Sequence, residues 1–233
     1  MYVTKITTIF ADGRKQIELW QNNIIYGLHS KHPIVPQLKE EKMKKIITLL
    51  LVMFSCVSMS SQEIVDYLNV GNTIEFNGQK MVLRWSTHPM ELYYLQEWIP
   101  ENETFDNYSQ MFTVAVVLAE EVTPELAVQM KVDELEERAK TDACCKYQVL
   151  ENNGEYILDF LVSDGNGKTL NLLEWDIHHY KTAIINGKKA QQLNFISTRA
   201  YGDDIMPFLE SIKSKRAEWI NALTQMDIKC EIK

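Results

Sequence analysis

The chain has 233 residues and a formal net charge of −8 at pH 7, with 24 Lys and Arg against 32 Asp and Glu. An acidic chain is repelled by phosphate backbones and anionic lipid headgroups, which argues against nucleic acid and membrane surfaces as partners. Its 4 cysteines include no C-x-x-C pair, the spacing that zinc and dithiol sites use.

Residues 1–42 contain one strand candidate, Ile6 to Phe10, with Asp12-Gly13 as its turn. They are too few to bury a core of their own. The next nineteen residues look like the start of an exported protein: Met43-Lys44-Lys45 supplies a positive end, Ile46 to Phe54 an apolar run, and Ser55 to Ser61 a small-residue cleavage region. The apolar run is far shorter than the roughly 20 residues a membrane-spanning helix needs. The sequence therefore divides into a mis-assigned upstream extension at 1–42, with Met43 as the expected start, a signal peptide at 43–61 and a single working domain at 62–233. Lys39-Glu40-Glu41-Lys42 has all-purine codons, as a translated ribosome-binding region would. Cleavage after Ser60 or Ser61 predicts an exported protein, periplasmic or extracellular. The rival is lipidation at Cys56, which would tether an outer-membrane lipoprotein, but Met53 and Phe54 depart from the small residues such a site prefers.

Residues 62–233 carry 16 Lys and Arg against 28 Asp and Glu, a net charge of −12. They are enough for one domain burying roughly 70% of its unfolded surface. Asn72 to Phe76, the turn Asn77-Gly78 and Lys80 to Ser86 form a tight hairpin pattern. Leu92 to Ile99 and Phe112 to Leu118 are strand candidates on either side of the polar loop 101–109. Thr123-Pro124-Glu125 starts a helix running to about Lys140, with a hydroxyl cap, proline in the first turn and an acid facing the dipole. Cys144 to Leu150, Glu155 to Val162, Thr169 to His179 and Gln191 to Thr198 are further strands, separated by Asn152-Asn153-Gly154, Asp164 to Gly167 and Asn186-Gly187. A second helix begins after Asp203-Asp204 and reaches about Gln225. Connections too short for crossovers predict a largely antiparallel sheet with two main helices packed on it, an α+β fold.

Ile185-Asn186-Gly187-Lys188-Lys189-Ala190, a turn before the strand that precedes the last helix, resembles the late turn of the Mog1/PsbP/DcrB-like group. That resemblance implies an antiparallel sheet carrying helices, and no catalytic residues. Glu97-Trp98-Ile99-Pro100, Glu103-Thr104 and Tyr108 to Thr113 are similar to a segment of exported bacterial proteins of unassigned activity, with Tyr108 where Trp is expected and Asn102 where Gly is expected.

The strongest local chemistry lies in Glu174-Trp175-Asp176-Ile177-His178-His179. On a strand, Glu174, Asp176 and His178 share one face, and a carboxylate beside an imidazole can orient a base or bind a divalent ion. The plainer expectation is a solvated polar face with Trp175 in the core. Tyr93, Leu95 and Glu97 alternate with Tyr94, Gln96 and Trp98, so one of these faces is open for a partner or covered by a helix. Arg216 falls near the apolar stripe of the last helix and requires a carboxylate partner; Arg199 is a second cation to locate. Cys144, Cys145 and Cys230 leave two readings, free thiols with one buried, or a bridge from one of the pair to Cys230. No nucleophile elbow, zinc-protease, phosphate-loop or dinucleotide motif occurs after residue 62. The expectation is an exported, non-enzymatic binding or accessory domain for a protein partner or small ligand, with no cofactor, no metal and no membrane span. The alternatives are a small metal-dependent or hydrolytic enzyme using Asp176 and His178, and a lipid-tethered accessory protein held through Cys56.

Overall fold

The computed structural model describes residues 64–165 and 169–233. The expectations for the 1–42 extension, the signal peptide, its cleavage and Cys56 lie outside the described residues.

Three Asn-Gly turns shape the chain. Asn77, Asn153 and Asn186 have φ values of 46°, 54° and 48°, and Gly78, Gly154 and Gly187 come next at 78°, 79° and 76°. Two successive left-handed residues make the tight turn whose twist matches the flanking strands, and asparagine followed by glycine adopts it most cheaply. The strands they join are β1 (Thr73–Phe76) with β2 (Gln79–Met90), β6 (Glu155–Gly165) with its predecessor β5 (Lys146–Asn152), and β7 (Leu170–Ile185) with β8 (Lys188–Tyr201). Between the first and second groups lie β3 (Tyr93–Ile99), β4 (Gln110–Val117) and helix α1 (Pro124–Arg138); helix α2 (Ile205–Gln225) comes after β8.

All eight strands form one sheet in the order β1-β2-β3-β4-β8-β7-β6-β5, antiparallel throughout. Two four-stranded meanders thus meet where β4 pairs with β8, from Gln110 opposite Thr198 to Val117 opposite Gln191. This corrects the expected α+β fold. Far more residues lie in strands than in helices, and the protein is one large sheet with two subsidiary helices. The sequence pattern ends one long strand at His179 and starts the next at Gln191. In the fold, β7 and β8 continue to the Asn186-Gly187 turn itself, because a two-residue turn needs no linker on either side.

The helices lie on opposite faces. On one, Ile212, Trp219 and Leu223 of α2 pack with Trp98, Phe112, Val114, Trp175, Ile177 and Ile196. The Trp219 ring meets Phe76 edge-on at 5.3 Å and Trp175 at 5.3 Å. The carboxylate that Arg216 required is Asp159 of β6, which also accepts the Trp175 indole N–H at 2.7 Å. On the other face, α1 is capped by Thr123, whose Oγ1 accepts from the Leu126 N–H at 3.2 Å. Its Val128, Val132 and Leu135 pack on Leu158, Phe160, Val162 and Tyr180. Cys145 joins this cluster, with its thiol donating to the Leu135 carbonyl at 3.3 Å. All three described cysteines are free: Cys144 packs beside Leu173 and Cys230 beside the α2 cluster, so the bridge to Cys230 is not formed.

The segment before β1 and the segment after α2 close the α2 face as a strap. The Glu231 N–H donates to the Leu68 carbonyl at 2.9 Å, and Gln96 accepts from the Leu68 N–H at 2.7 Å. Asn186, in the turn that carries the family resemblance, fixes the strap at its end: its side-chain amide donates to the Ile232 carbonyl at 2.8 Å and accepts from the Ile232 N–H at 3.1 Å. Replacing Asn186 by Gly keeps the positive φ but removes both bonds. We expect a loss of about 1 kcal/mol per bond at most, read by urea denaturation, together with faster amide hydrogen exchange at Ile232 and unchanged exchange in β7 and β8.

Candidate functional site

Cross-strand register places the polar side chains of the α1 face. Residues directly opposite in an antiparallel pair point to the same side. One row across β3, β4, β8 and β7 therefore reads Glu97, Thr113, Phe195, His178. The next reads Met111, Ser197, Asp176 and, on β6, Phe160. The third holds Arg199 opposite Glu174. Apolar side chains border these rows: Tyr93, Leu95, Ala115 and Val117 on one side, Ile99, Tyr108 and Met111 on the other. Neither helix contributes a residue to those two clusters. Met90, Val122 and Phe105 pack at their margins, so the face is a floor between α1 and β2.

Every residue from Leu173 to Tyr180 is buried, which overturns the expected solvated face on Glu174, Asp176 and His178. The reason is position in the sheet: β7 is an inner strand between β6 and β8, and the two helices cover its opposite sides. Trp175 and Ile177 do point into the α2 core, as alternation required.

The buried polar groups of β7 have separate partners. Glu174 forms an ion pair with Arg199 and accepts the Tyr108 hydroxyl at 3.0 Å. The Arg199 guanidinium lies over the Tyr108 ring, 4.1 Å from its centre. Glu174 holds the guanidinium's proton more firmly than water would, although desolvation opposes it. Tyr108 thus uses both its ring and its hydroxyl to hold the pair.

Asp176 accepts the Ser197 hydroxyl on Oδ1, while its Oδ2 is buried with no hydrogen-bond partner. Burial, and then the charge of Glu174, push its carboxyl well above the ordinary carboxylate range. His178 contacts the Tyr180 hydroxyl through Nδ1 at 3.0 Å, and its ring lies 4.4 Å from Phe195 and 4.9 Å from Phe160. Burial holds it well below the ordinary histidine value, which keeps it neutral. Asp176 and His178 therefore share a face, about 7 Å apart along the strand, without being bonded to each other. Among the described residues, these two side chains do not themselves form the bonded nucleophile-and-base pair of a hydrolase. Among the described residues, no group of three or more His, Cys, Asp or Glu is placed to hold a metal ion. None of the described helices is long and apolar enough to cross a membrane.

Thr113 and Ser197 escape a reading of the sequence. Thr113 is a single hydroxyl in an apolar run and Ser197 one of two adjacent hydroxyls, and only the register brings Ser197 against Asp176 and Thr113 against Glu97. Thr113 is fully buried and its Oγ1 also has no partner. The available signal was a polar residue at an inward position of an otherwise buried strand, which Glu97 also displays.

These partnerships can be tested by substitution. Arg199→Met leaves Glu174 charged and buried, so it should cost about 3–5 kcal/mol, whereas Glu174→Gln combined with Arg199→Met should recover most of that loss; urea denaturation of the three variants checks both. Asp176 gives a pH signature. Because its folded value is raised above 3.8, it favours folding fully below that pH and loses this contribution as pH rises through the folded value. Asp176→Asn should therefore raise the urea midpoint at neutral pH, and its advantage should vanish as the pH falls toward 3.8.

The chain belongs to the protein family whose model matches residues 68–228, a span that covers the sheet, both helices and every residue of this site. No curated protein and no solved structure matches it.

Proposed function

We propose that this chain, as a member of that family, is an exported binding domain whose ligand lies on the α1 face of the central sheet, across Thr113, Phe195, Ser197 and Asp176. One observation carries the reading: buried polar atoms on that face, Asp176 Oδ2, Glu174 Oε1 and Thr113 Oγ1 among them, have no hydrogen-bond partner. A buried acceptor left unpaired costs about 1–3 kcal/mol. Folding alone does not reward it, since Asn or Val would fill these positions more cheaply. A bound ligand does. The apolar margins at Leu95, Ala115 and Met111 supply the rest of what a small-molecule site uses: mostly apolar lining with a few placed polar groups.

A binding role is favoured over hydrolysis because Asp176 and His178 are each committed to a different hydroxyl, Ser197 and Tyr180. The charged run Met43-Lys44-Lys45 and the apolar segment after it support export, and the turn at Ile185 to Ala190, which resembles that of the Mog1/PsbP/DcrB-like group, brings no catalytic residues with it.

The test is a fragment screen read by NMR on protein labelled at methionine methyls and histidine rings. Binders should shift the Met111 methyl and His178 ring signals, and Thr113→Val should weaken them. Hits confined to the strap or the α2 face, or turnover of an ester or amide that Asp176→Asn abolishes, would replace the binding reading. The intact mass of protein recovered from outside the cytoplasm should begin at Ser61 or Gln62; material beginning at a lipidated Cys56 would make it a tethered protein instead.

A further inference from the structure

Short length, bulges and proline are devices that keep the outer strand of a sheet from pairing with another chain. β1, with 4 residues, uses the first. β5 uses none of them: it has 7 residues, all exposed, no proline and an unbroken register with β6. The Asn153-Gly154 turn fixes which of its backbone groups are spare. In such a two-residue turn the closing pair, Asn152 and Glu155, exchanges both ladder bonds, so Leu150, Gln148 and Lys146 direct their amides and carbonyls to β6. Tyr147, Val149 and Glu151 direct theirs outward, where the described residues place no further strand. Their side chains are opposite Phe160, Leu158 and Tyr156 and so stand on the α1 side of the sheet.

We infer that this edge takes up an extended segment of a partner protein as an added antiparallel strand, with Lys or Arg opposite Tyr147 and Glu151 and an apolar residue opposite Val149. The surface is separate from the floor across Thr113 and Ser197 and does not depend on what binds there. An N–H and a C=O from each of the outward residues supply affinity for any extended chain, and charge supplies the preference. On the α1 side that charge is negative. Tyr147 donates its hydroxyl to Glu136 at 3.0 Å. That bond, then desolvation and the charges of Glu136 and Asp133, raise the Tyr147 hydroxyl above its ordinary pKa. Asp133 accepts from the Gln129 amide and Glu151 from the Gly154 N–H, and among the described residues Asp133, Glu136 and Glu151 form no ion pair. The nearby Lys131 and Lys140 pair with Glu134 and Glu137 instead. The α2 side has the opposite sign: Lys146 projects there, and Arg216 reaches the Gln148 side chain at 2.8 Å. A uniformly basic strand would be repelled on that side, so basic residues at alternate positions fit. A second copy fits less well. Pairing β5 with itself around Val149 would set Glu151 of each copy beside Tyr147 and its Glu136 partner in the other, like charge against like.

The experiment titrates the purified, isotope-labelled protein by NMR with capped peptides: Thr-Lys-Thr-Val-Thr-Lys-Thr, the same peptide with Glu replacing both Lys, and the first peptide N-methylated at Val and both Lys. In low salt the lysine peptide should bind about tenfold more tightly than the glutamate peptide, the sum of several exposed charge contacts, and the ratio should fall toward one in high salt. It should slow amide exchange at Tyr147, Val149 and Glu151 and leave Gln148 and Leu150 unchanged, while the N-methylated peptide should not bind. Val149→Pro removes an outward N–H and no bond to β6, so it should abolish binding with the β6 signals in place. Glu136→Gln combined with Glu151→Gln should lower the lysine preference at least about threefold while the amide protection persists. Equal binding of the lysine and glutamate peptides, undiminished binding of the N-methylated one, shifts confined to another surface, or no binding at millimolar peptide would overturn the inference. Protection of the same amides that rises with protein concentration in the absence of peptide would assign the edge to a second copy and overturn it too. The ligand reading for the α1 face is judged separately, by the Met111 and His178 signals.

Discussion

The fold rests on the seam between β4 and β8. Eight consecutive residue pairs, from Gln110 opposite Thr198 to Val117 opposite Gln191, turn two meanders into one sheet. Without it each meander would end in an exposed inner edge, a liability for aggregation and slippage. With it, the outer edges are β1, only four residues long, and β5, whose residues are all exposed. The seam also makes β4 and β8 inner strands, like β3 and β7 within their own meanders, and so joins Thr113 and Ser197 to the buried rows that hold Glu97, Glu174 and Asp176. The polar chemistry of this protein is a consequence of topology more than of local sequence.

The two faces of the sheet use that burial differently. The α2 face is closed by aromatic packing around Trp98, Trp175 and Trp219, and its polar side chains mostly find protein partners: Gln96 serves the strap, and Asp159 serves Trp175 and Arg216. The α1 face has a helix only over β5, β6 and β7. There, Asp176 Oδ2 and Thr113 Oγ1 stay unpartnered. Unpartnered buried atoms occur on both faces, Gln110 Oε1, Asn194 Nδ2 and His179 Nδ1 on the α2 side among them, so what distinguishes the α1 face is the pair of buried carboxylates at Glu174 and Asp176.

Local signals are strong where a backbone constraint is tied to residue type. The three Asn-Gly turns, the Thr123-Pro124 helix start and the need of Arg216 for an acid can all be read from the chain, because a positive φ, a capping hydroxyl and a buried cation each demand few residue types. Strand length is not legible in the same way. Ile184, Lys188 and Lys189 are exposed, so the ends of β7 and β8 look like loop although they pair to the last residue. Shortened strands make helix and sheet look balanced in the sequence. The site was half visible: Glu174, Asp176 and His178 announce a shared face by alternation, but which face water reaches depends on β6 and β8, and Ser197 lies 21 positions away in sequence.

The reason for keeping Asp176 emerges from comparing it with its neighbour two positions earlier. Glu174 is as deeply buried and also leaves one oxygen, Oε1, without a partner, yet its Oε2 holds Arg199 and the Tyr108 hydroxyl, and the trio fixes β7 against β8 and the loop at Tyr108. Such a unit confers register, since sliding β8 by one residue would turn Arg199 to the opposite face. Asp176 adds nothing to register that the Glu174 pair does not already supply, and it adds a second buried carboxyl beside the first. Its burial is offset in part by the Ser197 hydroxyl and by the charges of Lys131 and Arg199. A residue that leaves one buried oxygen unpartnered beside Phe160 and Phe195, with its carboxyl raised by burial and by Glu174, makes the stability of this sheet depend on pH and not on register.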